Sequence, residues 1–394
     1  MFKKRGSPET GFIARHKILI GVGTLLGAIV GAGILAIPYV MAQSGLLLGF
    51  ILIVGLGLSL LLVNLMAGEI VLRTNKQHQL TGYAERYLGP WGKRLMMFSM
   101  VFSIYGALTA YLIGLGETVR AIVHWGNPLM YTIICFVIAF SIIYRGVKAT
   151  GTVDFILMGL VILIIFSITV ISYNNINLEH LTTINIAKFF VPYGVILFAL
   201  MGIPAVPEVQ EVLGQQKEKM KKILIIGSLI PIVLYILFAG VVVGIIGLDN
   251  FQILEPNQRI ATVALSIYSS PILGIFANLI AVLAMFTSFL TLGTALIEMY
   301  EYDYLFPRSY ALLLTFTIPL LIALFSLSTF ISVIALTGAI AGGLQVILII
   351  FTFWKARNGG ERTPEYSLKA YKILGSLLIL LFGVGVVLEL LSVL

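Results

Sequence analysis

The sequence predicts an all-α integral membrane protein. It reads as eleven transmembrane helices in a five-plus-five inverted repeat, with discontinuous helices 1 and 6 and one extra C-terminal helix. Three observations predict this. First, the 394 residues are 59% hydrophobic and only 11% charged, with a mean hydropathy of +1.06, where a soluble domain carries about a quarter charged residues. Second, eleven segments stay apolar over about the 20 residues a helix needs to cross the hydrocarbon core. Third, the first and sixth of these segments are interrupted alike, by GILAIPYV at 33–40 and GIPAVPEV at 202–209.

The segments lie near 18–42, 46–72, 94–124, 128–144, 150–173, 189–212, 221–247, 271–298, 309–326, 329–354 and 371–393. The gaps between them leave no room for a water-soluble domain, so residues 1–394 read as one transmembrane domain. Its first inverted repeat is 18–173, its second 189–354, and 371–393 is the extra helix. The basic start MFKKRGSPETGFIARHK precedes an apolar run from Ile18 to Val40. That run is far longer than a signal-peptide core of about 7–15 residues, so it is expected to be the first span. Placing the N-terminus in the cytoplasm puts 22 of the 25 lysines and arginines on the cytoplasmic side, as membrane topology favours. Only Arg120, Lys188 and Arg259 fall outside, and the C-terminus is then extracytoplasmic. The net charge of +8 therefore answers to topology and to the anionic lipid of a plasma or inner membrane, with no nucleic acid expected. Trp91, Trp125 and Trp354 all fall at span ends, where amphipathic rings settle. The stretch 74–90 is expected to form a short amphipathic helix on the cytoplasmic face.

Few residues invite chemistry. A single cysteine, Cys135, excludes an intrachain disulfide and a multi-cysteine metal site. His16, His78, His124 and His180 are scattered at span ends and loops. No metal-binding spacing, phosphate loop or nucleophile elbow occurs, so neither an enzyme nor a cofactor is expected. Glu69, Asp154, Glu298 and Glu389 sit at span ends and are expected to be solvated.

The interruptions carry the functional reading. Gly31 and Gly33 loosen span 1, and Pro38 frees the carbonyl of Ile34. Gly202, Pro204 and Pro207 do the same to span 6. A kink is the bland alternative, since Gly and Pro are common in membrane helices. The breaks, however, open each five-helix half, and matching interrupted spans point to a transporter with a central site. Half-helix ends expose N–H groups for a carboxylate and carbonyls for an ammonium. No charged side chain lies near either break, which suits a neutral amino acid.

Span 8 carries Ala284, Thr287, Ser288 and Thr291 on one helical face. Such a stripe either lets helices pack closely or offers hard oxygen ligands to an alkali cation. Glu117 in span 3 is either a proton carrier or an i, i+3 partner of Arg120. Tyr105 and Thr109 share a face of span 3, available for substrate or for packing.

The stretch VGAGILAIPYVMAQSG resembles the helix 1 signature of the amino acid/auxin permease family, which shares the leucine-transporter-like fold. The resemblance implies a sodium ion between the carbonyls of Gly27 and Val30 and the span 8 motif AMFTS, at Ala284, Thr287 and Ser288. It also implies substrate carboxylate at the amides of Ala32 and Gly33, within the glycine pair Gly31 and Gly33. Ammonium would meet the carbonyls of Phe198 and Leu200, beside Gly202. Two departures matter. Ile34 stands where some members carry an asparagine serving a second sodium, and span 5 lacks the lysine of some proton-coupled relatives. The expected activity is sodium-coupled symport of a neutral amino acid by alternating access. Proton coupling through Glu117, and a membrane amino acid sensor that binds without turnover, are the alternatives; a channel is disfavoured because no ring of charge lines a pore.

Overall fold

The computed structural model describes residues 17–146, 151–171 and 175–393, and within these every regular element is helical. The basic N-terminal stretch with His16, Lys148 and the side chain of Asp154 lie outside what is described.

In chain order, α1 comes in two halves, α1a (Lys17–Ile29) and α1b (Gly33–Ser44). Next come α2 (Leu46–Arg73), α3 (Leu80–Val123), α4 (Pro128–Tyr144) and α5 (Gly151–Ile171). The sixth also comes in halves, α6a (Tyr193–Ala199) and α6b (Val206–Leu213), followed by α7 (Met220–Ile253). A short helix, Ala261–Tyr268, leads to α8 (Pro271–Asp303) and α9 (Arg308–Leu324). Finally come α10 (Phe330–Gly359) and α11 (Lys372–Val393). Among the described residues, each apolar segment of the sequence therefore lies mostly in helix. Among the described residues, seven helices are long and apolar enough to cross a membrane, or eight if the bent halves of α1 make one span. Three shorter apolar helices join them: Pro128–Tyr144, Gly159–Ile171 and Arg308–Leu324. This is a multi-pass membrane protein.

Two helices run longer than hydropathy indicates, each through a glycine in the left-handed region. In α3 the amphipathic stretch from Leu80 joins the span at Gly89 (φ 76°, ψ −167°), just before Pro90. In α7 the chain turns at Gly247 (φ 74°, ψ 164°) and continues to Ile253. Glycine adopts these angles without steric penalty, so each turn redirects the helix beyond the apolar run.

The core sits where α1b, α6a, α3 and α10 meet. There backbone approaches backbone through glycine. A Cβ on Gly194 of α6a would lie 2.2 Å from the carbonyl oxygen of Ala335, and one on Gly338 would meet that of Gly194. Small residues let membrane helices approach this closely. Here α10 itself opens into a π-helical turn, Gly338–Gly342, and the Ser99 hydroxyl of α3 donates to the carbonyl of Ala341 (2.7 Å).

At the end where α1 begins, Lys17 is 5% exposed and donates to the carbonyl of Leu213 (3.2 Å), the last residue of α6b. The same end corrects one expectation. Glu69 is not solvated but fully buried. Its carboxylate accepts from Arg73 (2.7 Å) and from the amide of Leu368 (2.6 Å). The segment between α10 and α11 lies back over the end of α2, and Tyr366 donates to the carbonyl of Leu65 (2.6 Å). A buried carboxylate needs such partners.

Candidate functional site

The site is built on backbone. The halves of α1 meet at an angle of 57°. The last bonds before the break run from the amide of Val30 to the carbonyl of Leu26 (2.7 Å) and from Gly31 to Ile29 (3.1 Å). The next resumes at Leu35, on Ala32 (3.0 Å). Among the described residues, the amides of Ala32, Gly33 and Ile34 therefore have no backbone acceptor, and the carbonyls of Gly27, Val30 and Gly31 no backbone donor. This is the set of orphan groups that helix ends create.

The sixth span breaks differently. It crosses as one apolar stretch, Tyr193–Leu213, interrupted after Ala199 and rejoined through a 3₁₀ turn at Ile203–Ala205. Pro204 and Pro207 each occupy the first turn of the element that follows, where a missing N–H costs nothing. The carbonyl of Phe198 accepts the amide of Met201 (3.3 Å), while that of Leu200 has no backbone donor.

The two breaks touch. A Cβ on Gly33 would lie 2.7 Å from both Cα and Cβ of Ala199, and one on Gly202 would lie 2.8 Å from Ile29. Here glycine serves close approach rather than an unusual φ. Two tyrosines complete the junction, and sequence reasoning passed over both. Tyr235 of α7 is fully buried. Its hydroxyl lies 2.9 Å from the carbonyl of Ile29 and 2.9 Å from that of Ala199, one on each broken span. Tyr111 of α3 places its hydroxyl 3.4 Å from where a Cβ on Gly31 would stand, on the side of Ser288 of α8. The available signal was a lone tyrosine in the middle of an apolar helix, whose O–H must find a partner there.

Other expected residues fall apart from this junction. The Tyr105 hydroxyl meets that of Tyr300 (2.9 Å) and donates to the carbonyl of Leu314 (3.0 Å). Thr109 bonds the carbonyl of Tyr105 (2.8 Å), one turn back. Both side chains thus find their partners within α3, α8 and α9. Thr287 donates within its own helix, to Leu283 and Ala284 (both 3.1 Å), which leaves its oxygen lone pairs free. Thr291 is exposed. Glu117 is 8% exposed and lines a hollow with Arg120, Glu255 and Asn257.

Beside the α1 break lies a small cavity of about 50 Å³. Val30, Gly31 and Ala32 form part of its wall, facing Ala284 and Met285 of α8, Phe238 of α7 and aliphatic residues of α5. Thr262, from the short helix before α8, also lines it. Among the described residues, no group of three or more His, Cys, Asp or Glu could hold a metal ion.

Packed apolar helices, a broken span with unpaired peptide groups and a small cavity beside that break fit a membrane carrier. The chain belongs to the tryptophan/tyrosine permease family, which it matches over residues 14–391. It is 25% identical over 379 residues to tyrosine-specific transport system 1 of Haemophilus influenzae, covering 91% of this chain and 92% of the relative. It is 24% identical to glutamine transporter 2 of Aliivibrio fischeri, covering 91% and 95%. The fold is similar to that of MhsT, solved in complex with L-phenylalanine, with a TM-score of 0.64 at 16% identity over 95% of this chain and 98% of that one. The family and these relatives are amino acid transporters, a permease rather than an enzyme class, and this chain is of their kind. The family name differs from the amino acid/auxin permeases that the span 1 signature suggested; the kind of protein is the same.

Proposed function

We propose that this chain is a secondary active transporter that imports a neutral amino acid together with sodium by alternating access. The observation that carries the proposal is the run of unpaired amides at Ala32, Gly33 and Ile34, held against the α6 break in a buried junction. In a membrane core an unpaired peptide group costs several kcal/mol, so a chain that keeps three has a use for them. A substrate carboxylate takes these amides, and the carbonyls of Phe198 and of the unpaired Leu200 receive the ammonium. Gly31 and Gly202 keep the two backbones close. Tyrosine heads the list of substrates, since the relatives include tyrosine transport systems.

In this reading all eleven helices cross the bilayer. Residues 18–173 and 189–354 form the inverted repeats, and the N-terminus is cytoplasmic. Sodium is a co-transported substrate, held by the carbonyls of Gly27, Val30 and Ala284 and the hydroxyls of Thr287 and Ser288. The cavity wall shared by Val30 and Ala284 supports this, as do the free lone pairs of Thr287. Proton coupling is the second reading, favoured by the low exposure of Glu117 in its hollow.

The test is uptake of labelled tyrosine, tryptophan and glutamine into proteoliposomes under imposed sodium or proton gradients. Uptake that follows sodium supports the proposal. Uptake that follows the proton gradient alone selects Glu117, and saturable binding without uptake makes the chain a sensor.

A further inference from the structure

We propose that the hollow where α3, α10 and α11 meet holds the phosphate headgroup of an anionic phospholipid. The hollow measures about 340 Å³, within the range of small-molecule sites, and shares no lining residue with the cavity at the α1 break. Lys355 and Arg357, near the end of α10, and Lys372, the first residue of α11, bring three positive charges to its wall. Among the described residues none of the three pairs with a carboxylate, because those nearby are already taken: Glu361 by Arg86, Glu365 by Arg362 and Glu69 by Arg73. Lys355 and Lys372 are exposed. Arg357 is half-buried, with its guanidinium over the ring of Phe353, and its Nη1 is buried without a hydrogen-bond partner. Buried donors are normally paired, so this cluster is balanced from outside the chain.

The wall changes character along α10. Phe351 lines the hollow one turn before Lys355, on the same helical face, and is exposed. Trp354 also lines it, with its indole N–H already donated to the carbonyl of Ala370 (3.0 Å). Its ring therefore offers apolar surface, at a span end where such rings settle in a membrane. On α11, Ile373 and Leu377 follow Lys372 and are exposed as well. Cations at one end and apolar surface at the other, on the outside of a membrane bundle, match a phosphate joined to acyl chains. Basic pockets between membrane helices recruit anionic headgroups in this way. A zwitterionic headgroup brings its own ammonium and gains less from three cations. Inorganic phosphate leaves the apolar part of the wall uncovered.

Trp354 reports on its own site. The chain has three tryptophans, and the other two, Trp91 and Trp125, are exposed, so Trp91→Phe with Trp125→Phe leaves Trp354 as the fluorophore of the full chain. The purified protein in an uncharged detergent is titrated with phosphatidylglycerol or phosphatidylcholine carrying brominated acyl chains, which quench a neighbouring indole. Phosphatidylglycerol is expected to quench at a mole fraction about tenfold lower than phosphatidylcholine. Lys355→Gln with Lys372→Gln, two exposed positions, is expected to abolish that preference, and Lys355→Gln alone to reduce it. Lys221→Gln with Lys222→Gln makes the same charge change at exposed positions outside the hollow and is expected to keep it. Inorganic phosphate at millimolar concentration is expected not to relieve the quenching. Equal quenching by the two lipids, a preference that survives loss of both Lys355 and Lys372, or relief by inorganic phosphate at the concentration of the lipid overturns the proposal. None of these readouts depends on transport, so the uptake assay can fail without touching this site.

Discussion

Replacing Tyr235 with Phe removes one oxygen and keeps the ring. The ring is fully buried, so its packing persists and the perturbation is confined to the hydroxyl. That hydroxyl has one proton and two carbonyls at 2.9 Å. The carbonyl of Ile29 also receives the amide of Gly31 (3.1 Å). The carbonyl of Ala199 has no backbone donor among the described residues, so it bears the loss. Leaving a buried carbonyl unpaired costs about 1–3 kcal/mol. At tenfold per 1.4 kcal/mol, that is roughly a 5- to 150-fold effect. If the hydroxyl sets both breaks in the geometry that accepts substrate, the cost falls on binding. Equilibrium binding of labelled tyrosine to purified protein, read beside thermal unfolding in detergent, measures both. Tyr235→Phe is expected to weaken binding by that factor while the protein remains folded. A variant that melts lower yet binds as tightly as wild type refutes the coupling of the two breaks and leaves only a structural bond.

Further predictions concern the same junction and the loop at the basic end. Gly33→Ala places a Cβ 2.7 Å from the Ala199 backbone and is expected to lose about 1–3 kcal/mol. Gly31→Ala, with its nearest neighbour a hydroxyl at 3.4 Å, is expected to melt close to wild type; a reversed order of melting temperatures contradicts the close approach. Thr287→Ala is expected to raise the sodium concentration for half-maximal uptake about tenfold, with uptake restored at saturating sodium; unaltered sodium dependence removes this hydroxyl from the ion site. Glu361, in the loop after α10, accepts from the amide of Asn75 (2.8 Å) and pairs with Arg86, which together hold its carboxyl below the ordinary value of 4.5, the amide contributing most. Its contribution is full above pH 4.5 and is lost as pH falls through the lowered value. Hydrogen exchange in residues 360–371 is expected to accelerate only in that acidic window, and an equal rise in Glu361→Gln shows another group at work.

The helices were legible because hydrocarbon leaves a chain few options: every apolar run of about 20 residues must satisfy its peptide groups internally. The α1 break was legible for the converse reason, since Gly31, Gly33 and Pro38 are local defects in that rule. What escaped notice depends on residues far apart in the chain. Glu69 reads as a span-end carboxylate, yet its burial follows from Leu368, 299 positions later. Tyr235 and Tyr111 look like ordinary apolar positions until α1 and α6 arrive beside them. Tyr105 reads as a free hydroxyl only while Tyr300 and Leu314 are unknown. Thr262 falls in a connection, outside every hydropathy segment, so no periodicity marks it.

The Lys17 ammonium seated on the last carbonyl of α6b has a mechanical consequence. It meets the negative pole of that half-helix, while Tyr235 fastens the far end of α1a to the last residue of α6a. Tied at one end to α6b and at the other to α6a, α1a forms one shutter with the sixth span rather than two. Whatever swings either leaf drags its twin, so a passage toward the basic side opens in a single stroke or only after the lysine lets go.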